Sequence, residues 1–344
     1  MIRFQNDYSQ GAHPAILRRI AETNDTQYPG YGMDEACEAA RALIRARCEK
    51  DDIEVQFIQG GTPANLTVIA AALRPHQGVV SCDTGHIAAH ETGAIEGSGH
   101  KVITVPHSDG KLTAAQVEAV WEAHLADGTR EHIVQPKMVY LSYPTEFGTL
   151  YTREELTAIA EVTHRYGGYL YIDGARLGYG LTAPGADVDL PLLARLCDAF
   201  TIGGTKQGML FGEAIVLMNP ALSDDFRYIL KQRGGMLAKG WLLGLQFETM
   251  FADDLYFEAA AHANRMAALL RDALAARNIP LAVKTCANQT FAVLPNKWIE
   301  ATREAFDLSY WGAAENDCSV MRICTSWATR EQDVEALIGA LPSC

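Results

Sequence analysis

The strongest constraint on this chain is an alternation. Short runs rich in β-branched and aromatic residues are separated by segments with apolar residues at helical spacing, through the first two thirds of the sequence. The runs are Glu54–Ile58, Val79–Cys82, Val102–Val105, Met138–Ser142, Tyr169–Ile172, Phe200–Ile202 and Ala214–Met218, and the helical segments include Ala64–Leu73, Ala114–Leu125 and Arg153–Arg165. Strands alternating with helices of this length predict an α/β fold with a mostly parallel, seven-stranded sheet covered on both faces. In such sheets ligands collect at the carboxyl ends of strands, so the chemistry belongs in the loops just after these runs. The pattern changes near residue 235. Helical stretches at Ala238–Met250 and Tyr256–Arg277, strand-like Thr290–Leu294 and Val320–Thr325, and a terminal helix from Arg330 predict a smaller α+β domain. We divide the chain into a large domain with an N-terminal arm, residues 1–245, and a small C-terminal domain, residues 246–344.

Composition narrows the partners. The 344 residues have a formal net charge of -13, which argues against nucleic acid and against an anionic membrane surface. A small anionic ligand in a local basic pocket is still compatible. The eight cysteines (Cys37, Cys48, Cys82, Cys197, Cys286, Cys318, Cys324 and Cys344) form no CxxC pair. They read as buried or incidental thiols in a reducing compartment rather than a disulfide framework or zinc site, and no metal is expected. The N-terminal MIRFQNDYSQ lacks an apolar stretch of signal-peptide length, and no segment nears the roughly 18 apolar residues of a spanning helix. A cytoplasmic protein is the expectation.

Four places hold candidate chemistry. In YLYIDGARLGYG, a strand runs into Asp173 and then Gly174-Ala175-Arg176. An acid at a strand's carboxyl end points into the cleft, although aspartate also caps turns. In AFTIGGTKQGML, an apolar strand ends in Gly203-Gly204-Thr205-Lys206. Most lysines are solvated surface residues, but this one follows Asp173 by 33 positions, room for one helix and one strand, which puts both at one sheet edge. Gly60-Gly61-Thr62-Pro63-Ala64-Asn65 follows the Glu54–Ile58 run. Glycines there let N–H groups approach a phosphate at a helix N-terminus. A plain connector is the alternative, and the spacing matches neither a dinucleotide nor an ATP loop. Finally, Thr84-Gly85-His86 puts a histidine after a strand, able to stack on a flat ligand or move a proton. A phosphate cradle, a carboxylate, a stacking group and a lysine amine together are what pyridoxal 5′-phosphate (PLP) requires. The lysine forms its Schiff base and the carboxylate pairs with its pyridine nitrogen.

On these residues the chain resembles the threonine aldolase family of fold-type-I PLP enzymes, within the aspartate-aminotransferase-like superfamily. The resemblance rests on Asp173-Gly174-Ala175-Arg176, the Gly-Gly-Thr-Lys run ending at Lys206, Gly85-His86 with Glu91 five residues on, Tyr31-Gly32, and Gly234-Gly235-Met236. It implies that Lys206 holds the cofactor and that Asp173 pairs with the pyridine nitrogen. It also implies that Arg176 lies near the phenolic oxygen, that the Gly60–Thr62 loop binds phosphate through Gly61 and Thr62, and that His86 stacks on the ring. Arg322 would grip the substrate carboxylate with its planar fork. Three positions depart from the pattern. Asn6 stands where the family has a serine near the substrate carboxylate. Glu146 replaces a histidine beside the substrate hydroxyl. Leu237 replaces an arginine that reaches a neighbouring subunit's phosphate, leaving Lys239 or Arg233 to supply that charge.

The implied activity is retro-aldol cleavage of L-threonine, L-allo-threonine or related L-β-hydroxy-α-amino acids to glycine and an aldehyde. His86, Glu146 or an ordered water would take the hydroxyl proton. The rivals are another PLP reaction on the same scaffold, such as β-elimination, transamination or racemisation, and a catalytically silent homologue acting as a binding module. A nicotinamide dehydrogenase lacks its glycine fingerprint. The family also implies a homodimer or homotetramer with shared active sites, with the Tyr28–Met33 loop and the Arg233–Lys239 segment as candidates to cross over, and Tyr31 as a substrate-binding residue beside Asn6 and Arg322.

Overall fold

A computed structural model describes residues 1–342, so Cys344 lies outside the described residues. The other seven cysteines carry free thiols, and Cys37, Cys48, Cys82, Cys197 and Cys324 are buried. The strands are β1 (Ile2–Arg3), β2 (Glu54–Ile58), β3 (Gln77–Cys82), β4 (Lys101–Val105), β5 (Gln135–Ser142), β6 (Tyr169–Asp173), β7 (Ala199–Gly203), β8 (Glu213–Leu217), β9 (Leu281–Val283), β10 (Gln289–Pro295), β11 (Phe306–Asp307), β12 (Ser309–Ala314) and β13 (Cys318–Cys324).

The large sheet has the seven expected strands in the order β2-β8-β7-β6-β5-β3-β4. Strands β7, β6, β5, β3 and β4 run parallel; Ala114–Ala126 links β4 to β5 and Arg153–Arg165 links β5 to β6, while Gly61–Ala72 leads from β2 into β3. Capping boxes start two of these helices, with Thr113 paired to Gln116 and Thr152 to Glu155. β8 is antiparallel to both of its neighbours, β7 and β2. The reason is length: the nine residues from Gly204 to Gly212 are too few for a crossover, which takes a dozen or more. Two reversals leave β2 aligned with β7. The carboxyl ends of β2, β3, β5, β6 and β7 and the start of β8 therefore share one edge.

That edge is drawn tight between β6 and β7. The Gly203 N–H donates to the Gly174 carbonyl at 2.9 Å. A Cβ at Gly174 would strike the Thr201 carbonyl oxygen, and one at Gly203 the Ala175 carbonyl oxygen. The two glycines thus allow the loop after Asp173 to cross directly over the strand that leads to Lys206.

The smaller unit is an antiparallel sheet, β12-β13-β10-β9. Its core packs Met266 and Leu270 of the long helix Leu255–Ala276 with Leu294, Ile323 and Leu337. Phe4 belongs to the same buried cluster, because β1 pairs with β11 and the Phe4 carbonyl accepts from the Cys324 N–H at 2.7 Å. Strand β12 escapes the sequence pattern: it is a half-buried edge with a glycine and a register shift between Tyr310 and Gly312, which blurs its alternation. No helix among the described residues is long and apolar enough to cross a membrane.

Gly174→Ala should cost about 1–3 kcal/mol of stability through overpacking against backbone. A thermal or urea transition matching the parent protein would show that the crossing is slack.

Candidate active site

Period-two geometry builds the floor of the site. In β5 and β6, Tyr140 lies opposite Tyr171 and Ser142 opposite Asp173, so all four side chains share one face. Asp173 is buried at the end of β6. Its Oδ2 accepts from the Tyr140 hydroxyl at 2.7 Å and from Asn65 Nδ2 at 2.9 Å, and its Oδ1 accepts from the Ala175 N–H at 2.9 Å. Burial alone would raise its carboxyl, but His86, the Asn65 and Tyr140 bonds and Lys206 hold it below the usual range, so it stays charged.

Asn65 is the hinge of this network. Its amide also donates to Glu91 Oε1 at 2.7 Å, while its own oxygen accepts from the Tyr171 hydroxyl at 2.7 Å. Glu91 Oε1 in turn meets His86 Nδ1 at 2.7 Å. Burial disfavours the charged His86 ring, but the Glu91 bond and the Asp173 charge outweigh it and raise its pKa.

Glu146 follows β5 and is buried. Its Oε1 is saturated by the His86 backbone N–H at 2.7 Å and the Ser142 hydroxyl at 2.5 Å. Its Oε2 is buried with no hydrogen-bond partner among the described residues. Burial pushes this carboxyl above the ordinary range.

Lys206 sits in the loop between β7 and β8. The N–H groups of Gly204 and Thr205 both donate to the Gly212 carbonyl, and the Gly212 N–H donates to the Thr205 hydroxyl at 3.0 Å. Burial and the Arg176 charge lower the Lys206 pKa, which favours the neutral, nucleophilic amine. Glu213, opposite Gly203 in the hairpin, is buried near that lysine, and burial pushes its carboxyl up to about 8 against the opposing pull of Lys206.

Gly60 caps the helix Gly61–Ala72 without a side-chain bond, and Pro63 has no N–H. The N–H groups of Gly61 and Thr62 therefore have no acceptor within the helix. A Cβ at Gly61 would meet nothing within 4 Å, so the space above is open. One cavity brings together Gly61, His86, Glu146, Asp173, Arg176 and Lys206. It shares His86, Glu146, Arg176 and Lys206 with a cleft of about 580 Å³ that is also lined by Tyr8, His90, Tyr310, Trp311 and Arg322. Arg322 lies over the Trp311 ring at 5.1 Å and donates to the Gln5 carbonyl at 3.2 Å, while its buried Nε has no partner among the described residues.

Three expected residues lie elsewhere. The Asn6 side chain is absent from the cleft lining; its Oδ1 accepts from the Tyr8 N–H and the Ser9 hydroxyl, both at 2.9 Å, in a local turn. Tyr31 and Lys239 are exposed and do not line this cavity. Their two segments do pack together, through a Tyr31 N–H bond to the Ala238 carbonyl at 3.1 Å.

Sequence reasoning missed Asp7, Asn65 and Glu213. Asp7 is fully buried and grips Arg176, with Oδ2 to Nε at 2.7 Å and Oδ1 to NH2 at 3.0 Å, while Asn288 donates to it at 2.9 Å. Burial would raise the Asp7 carboxyl; Arg176 and Lys206 hold it below the ordinary range instead. Arg176, expected at a cofactor oxygen, thus spends its Nε and one terminal nitrogen on the N-terminal arm. Only the acid beside Asn6 in the opening residues hinted at this, and nothing in the spacing tied it to Arg176.

The sequence model of the beta-eliminating lyase family matches residues 9–297. A low-specificity L-threonine aldolase of Pseudomonas aeruginosa is 32% identical over 339 residues, covering 97% of this chain and 95% of its own. A solved threonine aldolase structure from Leishmania major is 45% identical with a TM-score of 0.96, and 98% of each chain is covered. An aspartate aminotransferase from Thermus thermophilus shares the fold at 15% identity and TM-score 0.70, over 99% of this chain and 90% of its own.

Asp7→Ala strands a buried guanidinium and should lower unfolding stability by about 3–5 kcal/mol near neutral pH. Because the Asp7 carboxyl is depressed in the folded state, its contribution is full above the unfolded value and fades as pH falls through the folded one. Urea melts across acid pH should therefore show parent and variant converging; a constant gap would contradict the ion-pair account.

Proposed function

The chain belongs to the beta-eliminating lyase family, and from that premise we propose that it cleaves L-threonine, L-allo-threonine and related L-β-hydroxy-α-amino acids to glycine and an aldehyde, using PLP held by Lys206. The observation that carries this reading is the shared cavity, which sets a depressed lysine, a buried charged aspartate and a carboxyl with one free oxygen around a single space.

The residues fit PLP. The uncommitted N–H groups of Gly61 and Thr62, at the helix start capped by Gly60, suit a phosphate. Asp173 Oδ1 has one protein donor, which leaves it able to accept from a pyridinium. His86, fixed through Nδ1 by Glu91, lines the same cavity and suits stacking. Bound there, the cofactor supplies an electron sink that weakens bonds at the substrate's α-carbon.

The chain's own residues do the rest. Arg322 offers its free Nε and fork to the substrate carboxylate, with Arg176 lining the same cleft. Asn6, held in its own turn, takes no part. Glu146 Oε2 is the proton acceptor for the β-hydroxyl, because its partner oxygen is saturated and its raised pKa makes it a stronger base than an ordinary carboxylate. His86 is less suited, since Glu91 and Asp173 favour its protonated ring. Retention of the whole constellation argues against a silent homologue. We further propose a cytoplasmic homodimer or homotetramer in which the packed Tyr31 and Lys239 segments serve a neighbouring subunit's site.

Lys206→Ala should lose the visible absorbance of bound PLP and at least about 10³-fold in turnover; a variant that cleaved L-threonine at the parent rate would end the proposal. Glu146→Gln should lower kcat by about 10²–10⁴-fold. In the parent, activity falls as pH drops through the raised Glu146 value, and the variant should lack that acidic limb. Unchanged kcat and pH profile would remove Glu146 as the base. Formation of pyruvate and ammonia instead of glycine and acetaldehyde would favour β-elimination.

A further inference from the structure

Glu146 and Asp173 are joined by two hydroxyls. Ser142 Oγ lies 2.5 Å from Glu146 Oε1 and 3.2 Å from the Tyr140 hydroxyl, which itself donates to Asp173 Oδ2 at 2.7 Å. Tyr140, Ser142 and Asp173 arise from one face of β5 and β6, so their spacing is set by strand register, and Glu146 is brought to them by the turn after β5, where the His86 N–H also holds it. We propose that Ser142 is a positioning residue whose hydroxyl turns between Glu146 and Tyr140, so that the proton state of the substrate-facing carboxyl is felt at the carboxylate that faces the cofactor's pyridine nitrogen. The inference rests on Glu146 being the proton acceptor.

The proton count makes the switch. Ser142 has one hydrogen to give. While Glu146 is charged, that hydrogen goes to the closer and stronger acceptor, Oε1. Tyr140 then receives nothing from Ser142 and gives its own hydrogen to Asp173. When Oε2 takes the substrate proton, the neutral carboxyl is a weaker acceptor and Ser142 turns to Tyr140. A hydroxyl that accepts a hydrogen bond donates more strongly, so the Tyr140–Asp173 bond tightens. No proton leaves Tyr140, whose hydroxyl is pushed far above its ordinary range by burial and by Asp173 and Glu146. The link therefore transmits polarisation, and no charge crosses it.

Other groups face Glu146. They are His86 from the short helix after β3, Cys82 from the end of β3, Tyr151 beyond β5, and Asp173 from β6. Arg176 and Lys206 line the same cavity. None is hydrogen-bonded to both carboxylates through a single hydroxyl pair as Ser142 and Tyr140 are.

The test is the absorption spectrum of the holoenzyme against pH. The parent should show an acid-side step in the visible band of bound PLP that Glu146→Gln removes. Ser142→Ala and Tyr140→Phe should each abolish that step, and Ser142→Thr, which keeps the hydroxyl, should restore it. Ser142→Ala should still show the acidic limb of kcat, moved to higher pH because a hydrogen bond that lowers the Glu146 pKa is lost. A merely structural serine would leave the spectral step in place. The proposal is overturned if Ser142→Ala keeps the parent's step, or if the parent has no step that depends on Glu146. A lost acidic limb in Glu146→Gln with an intact step in Ser142→Ala would sink the relay and leave the base assignment standing.

Discussion

One buried negative charge organises this molecule. An ionised carboxylate inside a protein is costly unless its lone pairs are met. Asp173 is met by a tyrosine, an amide and a backbone N–H, and those donors come from three separate parts of the chain. Tyr140 needs β5 in register with β6, Asn65 needs the helix after the Gly60 loop, and Ala175 needs the turn that crosses toward Lys206. The glycines at 174 and 203 answer the same demand, since any side chain there would push the aspartate's turn away from the lysine's strand. Much of the local sequence around the edge thus reads as support for a single charge.

The carboxyls around it are graded by their surroundings. Asp173 and Asp7 have charged or strongly polar partners and are depressed, whereas Glu146 and Glu213 have fewer and are raised, Glu213 to about 8. With Glu91, five buried acids share one neighbourhood and could repel one another into protonation. Arg176, Lys206 and the His86 ring supply the positive charge that holds Asp7 and Asp173 below the ordinary carboxylate range. Pairs of groups whose environments drive their pKa values apart are the ordinary means by which one site holds both an acid and a base.

Much of this was legible in the sequence, and what was hidden has physical reasons. The inner strands of the large sheet stand out because they are buried on both faces and read as continuous β-rich runs, and Asp173 and Lys206 stand out because they end such runs. Edge strand β12 is half exposed and interrupted by a bulge, so its signal is weak. Glu213 falls just outside the Ala214–Met218 run and carries no signal of its own, because a hairpin closure of nine residues shows its meaning only once β8 is seen to run backwards. Asn65 sat within a recognised loop yet had no assigned part, since an asparagine's partners depend on folding. Asn6 was singled out by resemblance, while its neighbour Asp7 does the gripping. Asp7 and Arg176 are 169 residues apart, and no local rule connects them.

The same separation bears on how the protein comes into being. Ile2 and Arg3 pair with Phe306 and Asp307, Phe4 bonds to Cys324, and Asp7 to Asn288. Residues 2 to 7 can find their places only late, because their partners are made some three hundred residues after them. The seven-stranded sheet can assemble meanwhile, but Arg176 keeps an unanswered charge until the arm returns. Contacts of such long range slow folding, and here they tie this edge of the large sheet to strands made much later: a product truncated before Asn288 would still lack the clasp.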